Sequence, residues 1–130
     1  MNIILWALQL LLALVYAYSG TTKASQPVPR LLALGQTGVE HMPVGLVRFV
    51  GVAELLGSAG LILPWASQRA PALTPLAALG LAIIMLLAIG VHLERREYRT
   101  VVANVLLCGC CLIVAGARLF ALNSAGWRWF

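Results

Sequence analysis

Four apolar runs, roughly Ile3 to Gly20, Val44 to Leu63, Leu73 to Val91 and Val101 to Leu122, occupy most of the 130 residues. At 1.5 Å of rise per residue each is long enough to cross about 30 Å of hydrocarbon as a helix. None alternates polar and apolar residues with period two, the pattern of a lipid-spanning barrel strand. Runs of Leu, Ala, Ile, Val and Gly suit helices, which satisfy their backbone groups internally when no water is at hand. The expected fold is all-α: a polytopic membrane protein with a four-transmembrane-helix bundle. It forms a single domain over residues 1–130, with helices at about 3–23, 44–63, 73–92 and 101–122.

Composition decides the solvent. Only 10% of the residues are charged, where a soluble domain uses roughly a quarter to face water. Nine Lys and Arg against four Glu give a formal charge of +5, a balance that elsewhere points to nucleic acid. Here the cations are dispersed between apolar runs. They read as topology signals and contacts for anionic lipid heads; the expected partner is the bilayer, and no nucleic acid.

The interruptions have physical causes. Pro27 and Pro29 stop the first helix from extending, and Pro43 precedes the second, where a missing N–H costs nothing. Pro64 is expected to close the second helix, and Pro71 and Pro75 flank the start of the third. The segment Arg30 to Leu34 is expected to form a short interfacial helix broken by Gly35 and Gly38. Glu94-Arg95-Arg96-Glu97 makes a polar turn. Trp65, Trp127 and Trp129 lie beside helix ends, where indole favours the headgroup layer. Gly51, Gly57, Gly60, Gly80, Gly90, Gly109 and Gly116 are expected to let helix backbones pack closely.

Met1-Asn2 lacks the basic residue of a signal peptide, so the first run is expected to stay as a helix. Cys108, Cys110 and Cys111 have no second ligand pair for zinc and are expected to pack as small hydrophobes. Lys23 and Arg30 in the first loop, with Arg95, Arg96 and Arg99 in the third, outnumber Arg69, Arg118 and Arg128 on the other side. This bias places the first and third loops in the cytoplasm and the termini in the periplasm of a bacterial inner membrane.

A charge near the bilayer centre costs about 2.5–3.5 kcal/mol on insertion scales, so each needs a partner or a purpose. Glu54 lies ten residues into the second run, about 15 Å along it, close to the midplane. Arg48 lies six residues earlier on the same helix, roughly 120° around it. Following four antiparallel helices, Lys23, Arg48, His92 and Asn104 fall in one depth band with Glu54 below them. Each also has a bland role: snorkelling for Lys23, hydration for His92, interhelical hydrogen bonding for Asn104. Arg118, at the opposite end, is expected to snorkel outward.

The run Tyr18-Ser19-Gly20-Thr21-Thr22-Lys23, followed by Arg48-x-x-Gly51-x-x-Glu54-x-x-Gly57-x-x-Gly60-Leu61, resembles the DoxX-like family of small four-helix integral membrane proteins. Leu73-Thr74-Pro75-Leu76-Ala77-Ala78, His92 and Asn104 extend the resemblance over nearly the whole chain. The resemblance implies a four-helix membrane protein with its polar positions on Lys23, Arg48, Glu54, His92 and Asn104. Relatives named for thiosulfate:quinone oxidoreductase and methylamine utilisation imply redox accessory roles, and similar animal proteins include a receptor-assembly chaperone.

The expected function is therefore a ligand or polar pocket, formed by Lys23, Arg48, Glu54, His92 and Asn104, that binds a lipid-soluble ligand or a partner's transmembrane segment. In it Glu54 accepts hydrogen bonds, and Arg48 and Lys23 balance its charge. On this reading the chain is an accessory or assembly factor rather than an enzyme on its own, with no catalytic residues and no metal. Two alternatives stand beside it. One is a quinone-linked oxidoreductase subunit, with quinone the single cofactor considered and electrons drawn from a partner membrane protein. The other is proton-coupled transport, aided by a homodimer across glycine-lined faces.

Overall fold

The computed structural model describes residues 2–124. It is all-α, and no strand occurs among the described residues. Helices α1 (Asn2–Ser25), α3 (Val44–Ala66), α4 (Leu73–Glu94) and α5 (Tyr98–Asn123) are each long and apolar enough to cross a membrane. The short helix α2 (Val28–Ala33) and a 3-10 turn (Thr37–Val39) fill the first loop.

Local chemistry sets these limits. Gln26 donates the last α1 hydrogen bond to Thr22 before Pro27 turns the chain at ψ 154°. The first loop folds as expected, with Gly35 adopting φ +87°, a left-handed geometry that glycine tolerates without strain. Leu31, Val39 and Val47 bury together and hold the loop on the bundle. Pro43 precedes the first residue of α3. Pro64 does not end α3, which continues to Ala66. It stands in the last turn, where the helix has few hydrogen bonds left to lose.

The helices surround a common interior in the order α1, α3, α4, α5, with α1 against α3 and α5 against α4 most extensively, and α1 and α5 touching least. The α1–α3 crossing is backbone to backbone: a Cβ on Gly51 would stand 2.6 Å from the Ala24 nitrogen and 2.8 Å from the Gly20 oxygen. Between α3 and α4, a Cβ on Gly60 would meet that of Ala77 at 2.7 Å. Such close approach is what drives helix association when lipid is as apolar as the side chains. Gly80, Gly90, Gly109 and Gly116 play no such part, since a Cβ there would meet nothing within 4 Å. They lie on faces turned away from the neighbouring helices, and spacing alone does not say which way a face turns.

Leu12, Leu61, Leu81, Cys111 and Val114 fill the core, while Ile3, Leu14, Phe49, Leu56 and Phe120 project outward. Apolar outside and polar groups within is the arrangement that hydrocarbon solvent favours. Two expectations fail at the end of the bundle near Asn2. Arg118 does not snorkel: it is fully buried, donates through Nε to Gln9 Oε1 at 2.6 Å, and lies 4.5 Å over the Trp65 ring. Trp65, expected in the headgroup layer, is buried beneath it. A planar guanidinium stacked on an aromatic face tolerates a dry interior better than a point charge does. Trp127, Trp129 and Arg128 lie outside the described residues.

Candidate functional site

The opposite half of the bundle, toward the first and third loops, contains a cavity of about 420 Å³. All four long helices contribute to its wall, and Gln36, Gly38 and Met42 of the first loop cover it. Lys23, Glu54, His92 and Asn104 all line it; Arg48 does not.

Glu54 is fully buried, as its depth on α3 requires. Its Oε1 accepts from Lys23 Nζ at 2.9 Å and its Oε2 from the Ser19 hydroxyl at 2.8 Å. Lys23 Nζ also donates to Ser19 Oγ at 3.0 Å. Ser19 and Lys23 are one helical turn apart on α1, so both meet α3 where the Gly20–Gly51 contact draws the helices together. Lys23 thus turns inward instead of snorkelling, and balances Glu54 as expected.

Arg48 has a different partner set. Its Nη1 donates to the carbonyls of Lys23 at 2.6 Å and Gln26 at 2.5 Å. It neutralises the unpaired carbonyls at the end of α1, where a cation is favoured. It fixes the helix end that presents Lys23, and it takes no part in balancing Glu54.

His92 Nδ1 lies 2.5 Å from Glu97 Oε2, to which Thr37 donates at 2.9 Å. Arg95 donates through Nε to Glu97 at 3.0 Å and through Nη2 to Glu40 at 2.6 Å. This network ties the first loop over the α4–α5 turn. The hydrogen bond from His92, then those from Thr37 and Arg95, hold the Glu97 carboxyl well below its usual range, at about 2. The hydrogen bonds to Glu40 and Glu97 raise Arg95 above its own.

Asn104 is buried against the cavity, and no hydrogen bond joins its amide to another described residue. The interhelical bonding role considered for it is not realised. Gln36 Oε1 is likewise buried with no partner among the described residues. Thr22 Oγ1 spends its proton on the Tyr18 and Ser19 carbonyls, so it takes an N–H from Gln36, at 2.7 Å.

Ser19, Gln36, Thr37 and Glu97 were not singled out from the sequence. Ser19 had a usable signal, four residues before Lys23 on one helix face. Glu97 lay five residues after His92 in a turn. Gln36 had none, because a loop's path over the bundle is set by its packing. Gln9, the polar partner of Arg118, was visible as a lone amide in the first run.

These features define a small multi-pass membrane protein that keeps ionic and amide groups in a cavity between its four spans. The DoxX-like family profile matches residues 7–115, and the chain belongs to that family. No curated protein and no solved structure matches it.

Proposed function

We propose that the cavity receives the polar end of a lipid-soluble ligand and that the protein acts as a binding or accessory component without catalysing a reaction itself. The carrying observation is a 420 Å³ space between the four spans, bordered by Lys23, Glu54, His92 and Asn104. That size falls in the usual range of ligand pockets. A partner's transmembrane helix about 10 Å across fills roughly 400 Å³ in a single turn, so the space suits a compact head better than a helix. A quinone is one member of the class, and His92 and Glu54 facing one cavity support a redox accessory reading. Co-extraction of a stoichiometric quinone would favour it. Proton-coupled transport has less support: Leu12, Leu61, Leu81 and Val114 fill the core next to the cavity.

The test is Asn104→Leu. An amide without a protein partner contributes little to folding, and an apolar residue of similar size replaces it at small cost. Native mass spectrometry of gently extracted protein should show a retained lipid-soluble molecule lost in Asn104→Leu at an unchanged unfolding midpoint. Equal retention in both proteins would end the reading.

We also propose that the first and third loops face the cytoplasm of a bacterial inner membrane. The inward turn of Arg118 supports this by removing a cation from the opposite surface. Labelling of single cysteines at Glu94 and Gln68 from outside the cell tests it: reaction at Glu94→Cys alone would reverse the orientation.

A further inference from the structure

We infer that the ligand is an uncharged lipid whose head carries an O–H or N–H donor, and that its tail leaves the cavity sideways between α3 and α4. This rests on the reading of the cavity as a ligand site and narrows it by chemistry and route.

Charge comes first. Lys23 is paired with Glu54 at 2.9 Å, and His92 meets Glu97, whose other oxygen holds Arg95, itself bound to Glu40. Every ionic group at the cavity therefore already has an opposite partner inside the protein, and two of the three Lys23 donors are used. A phosphate or carboxylate head would have to share Lys23 with Glu54, bringing a second anion beside a buried carboxylate. The Asn104 amide borders the cavity, and neither its oxygen nor its N–H groups meet another described residue. Its oxygen is an acceptor, and an acceptor shielded from water calls for a donor from the occupant. Asn104 can both give and take. A hydroxyl head satisfies both halves of the Asn104 amide; a fully ionised anion has no proton for its oxygen and upsets the charge balance.

The route follows from helix register. On α3, Val50 lies seven residues before Gly57 and Leu46 fourteen before Gly60, so both fall near the face that meets α4. On α4, Ile84 and Val91 repeat the position of Ala77 in the same way. In the half toward Asn2 these faces are in contact, with a Cβ on Gly57 standing 2.6 Å from Leu81 and one on Gly60 2.7 Å from Ala77. In the loop half the same faces, through Leu46, Val50, Ile84 and Val91, form cavity wall instead. The seam is thus closed at the glycines and open beyond them. Its rim reaches the surface: Leu46 and Leu87 line the cavity while 44% and 68% exposed. An apolar rim facing acyl chains passes a tail and offers nothing to water.

The experiment uses the full chain in phosphatidylcholine nanodiscs, with a diacylglycerol bearing a diazirine in one acyl chain as the probe. Phosphatidic acid and unlabelled diacylglycerol of the same chains serve as competitors. Saturable labelling should map to residues 46–50 and 87–91, and unlabelled diacylglycerol should reduce it at least fivefold more effectively than phosphatidic acid. Val50→Trp, which fills the seam, should cut labelling about fivefold or more, while Leu112→Trp on the outer face of α5 leaves it unchanged. Better competition by phosphatidic acid overturns the uncharged head, and label on α1 and α5 overturns the route. Both results are read from the unaltered chain, whether or not the Trp variants fold. If an Asn104-dependent molecule is co-extracted but the probe does not label saturably, this inference fails and the ligand site stands. Absence of both defeats the two together.

Discussion

Cutting the Lys23–Glu54 pair from each side should expose an asymmetry that only this geometry produces. Glu54 is fully buried near the middle of α3, with two donors, Lys23 and Ser19. Its Lys23 partner lies near the end of α1 with 16% of its side chain still exposed. In Lys23→Met, Glu54 keeps only the Ser19 hydroxyl and lies too deep on α3 for its short side chain to reach the headgroup layer. Removing one member of a buried pair costs about 3–5 kcal/mol, and the full range applies to this variant. In Glu54→Met the stranded ammonium swings on its four-carbon stem toward the headgroup layer. That escape holds the loss to about 1–2 kcal/mol. The double variant replaces both charges by apolar groups of similar size, a change that is often close to neutral. It should therefore recover at least about 2 kcal/mol relative to Lys23→Met. The assay is equilibrium unfolding in mixed micelles by titration with a denaturing detergent, read by Trp fluorescence. Additive losses in the double variant, within about 0.5 kcal/mol of the sum, would show that the two residues do not interact. Equal single losses would refute the depth assignment.

Two further outcomes follow from the packing and from the loop network. Gly51→Ala places a methyl 2.6 Å from the Ala24 nitrogen, backbone that cannot step aside, and should lower stability by about 1–3 kcal/mol or more. Gly116→Ala, with open space around its Cβ, should be neutral or raise stability by up to about 1 kcal/mol in the same assay. Glu97, held at about 2 against an ordinary 4.5, contributes stability that is complete above about 4.5 and lost as pH falls toward 2. Amide exchange at Thr37–Glu40, corrected for its intrinsic pH dependence, should stay flat from about pH 7 to 5 and quicken below about 4.5. Glu97→Gln should abolish that step, whereas loosening between about pH 7 and 5 would reject Glu97 as the titrating group.

The inventory of parts was legible in the chain itself. Hydrophobic length fixed four spans, because a helix must match the thickness of hydrocarbon and the prolines say where it starts or turns. Depth along antiparallel helices brought Lys23, Arg48, His92 and Asn104 to one level, with Glu54 below them, without any coordinates. Rotation about each helix axis is what such a count lacks. Outer leucines face lipid and inner leucines face leucines, so in an apolar segment hydrophobicity no longer marks the inward side. Tertiary packing therefore decided that Arg48 caps α1 and leaves Glu54 to Lys23, that Arg118 turns inward onto Trp65, and that four of seven glycines face away from the neighbouring helices. It also decided the path of the first loop, which carries Gln36 over the cavity. Sequence specifies how deep each polar group lies; only the close approach of specific backbones decides which way it points and what it meets.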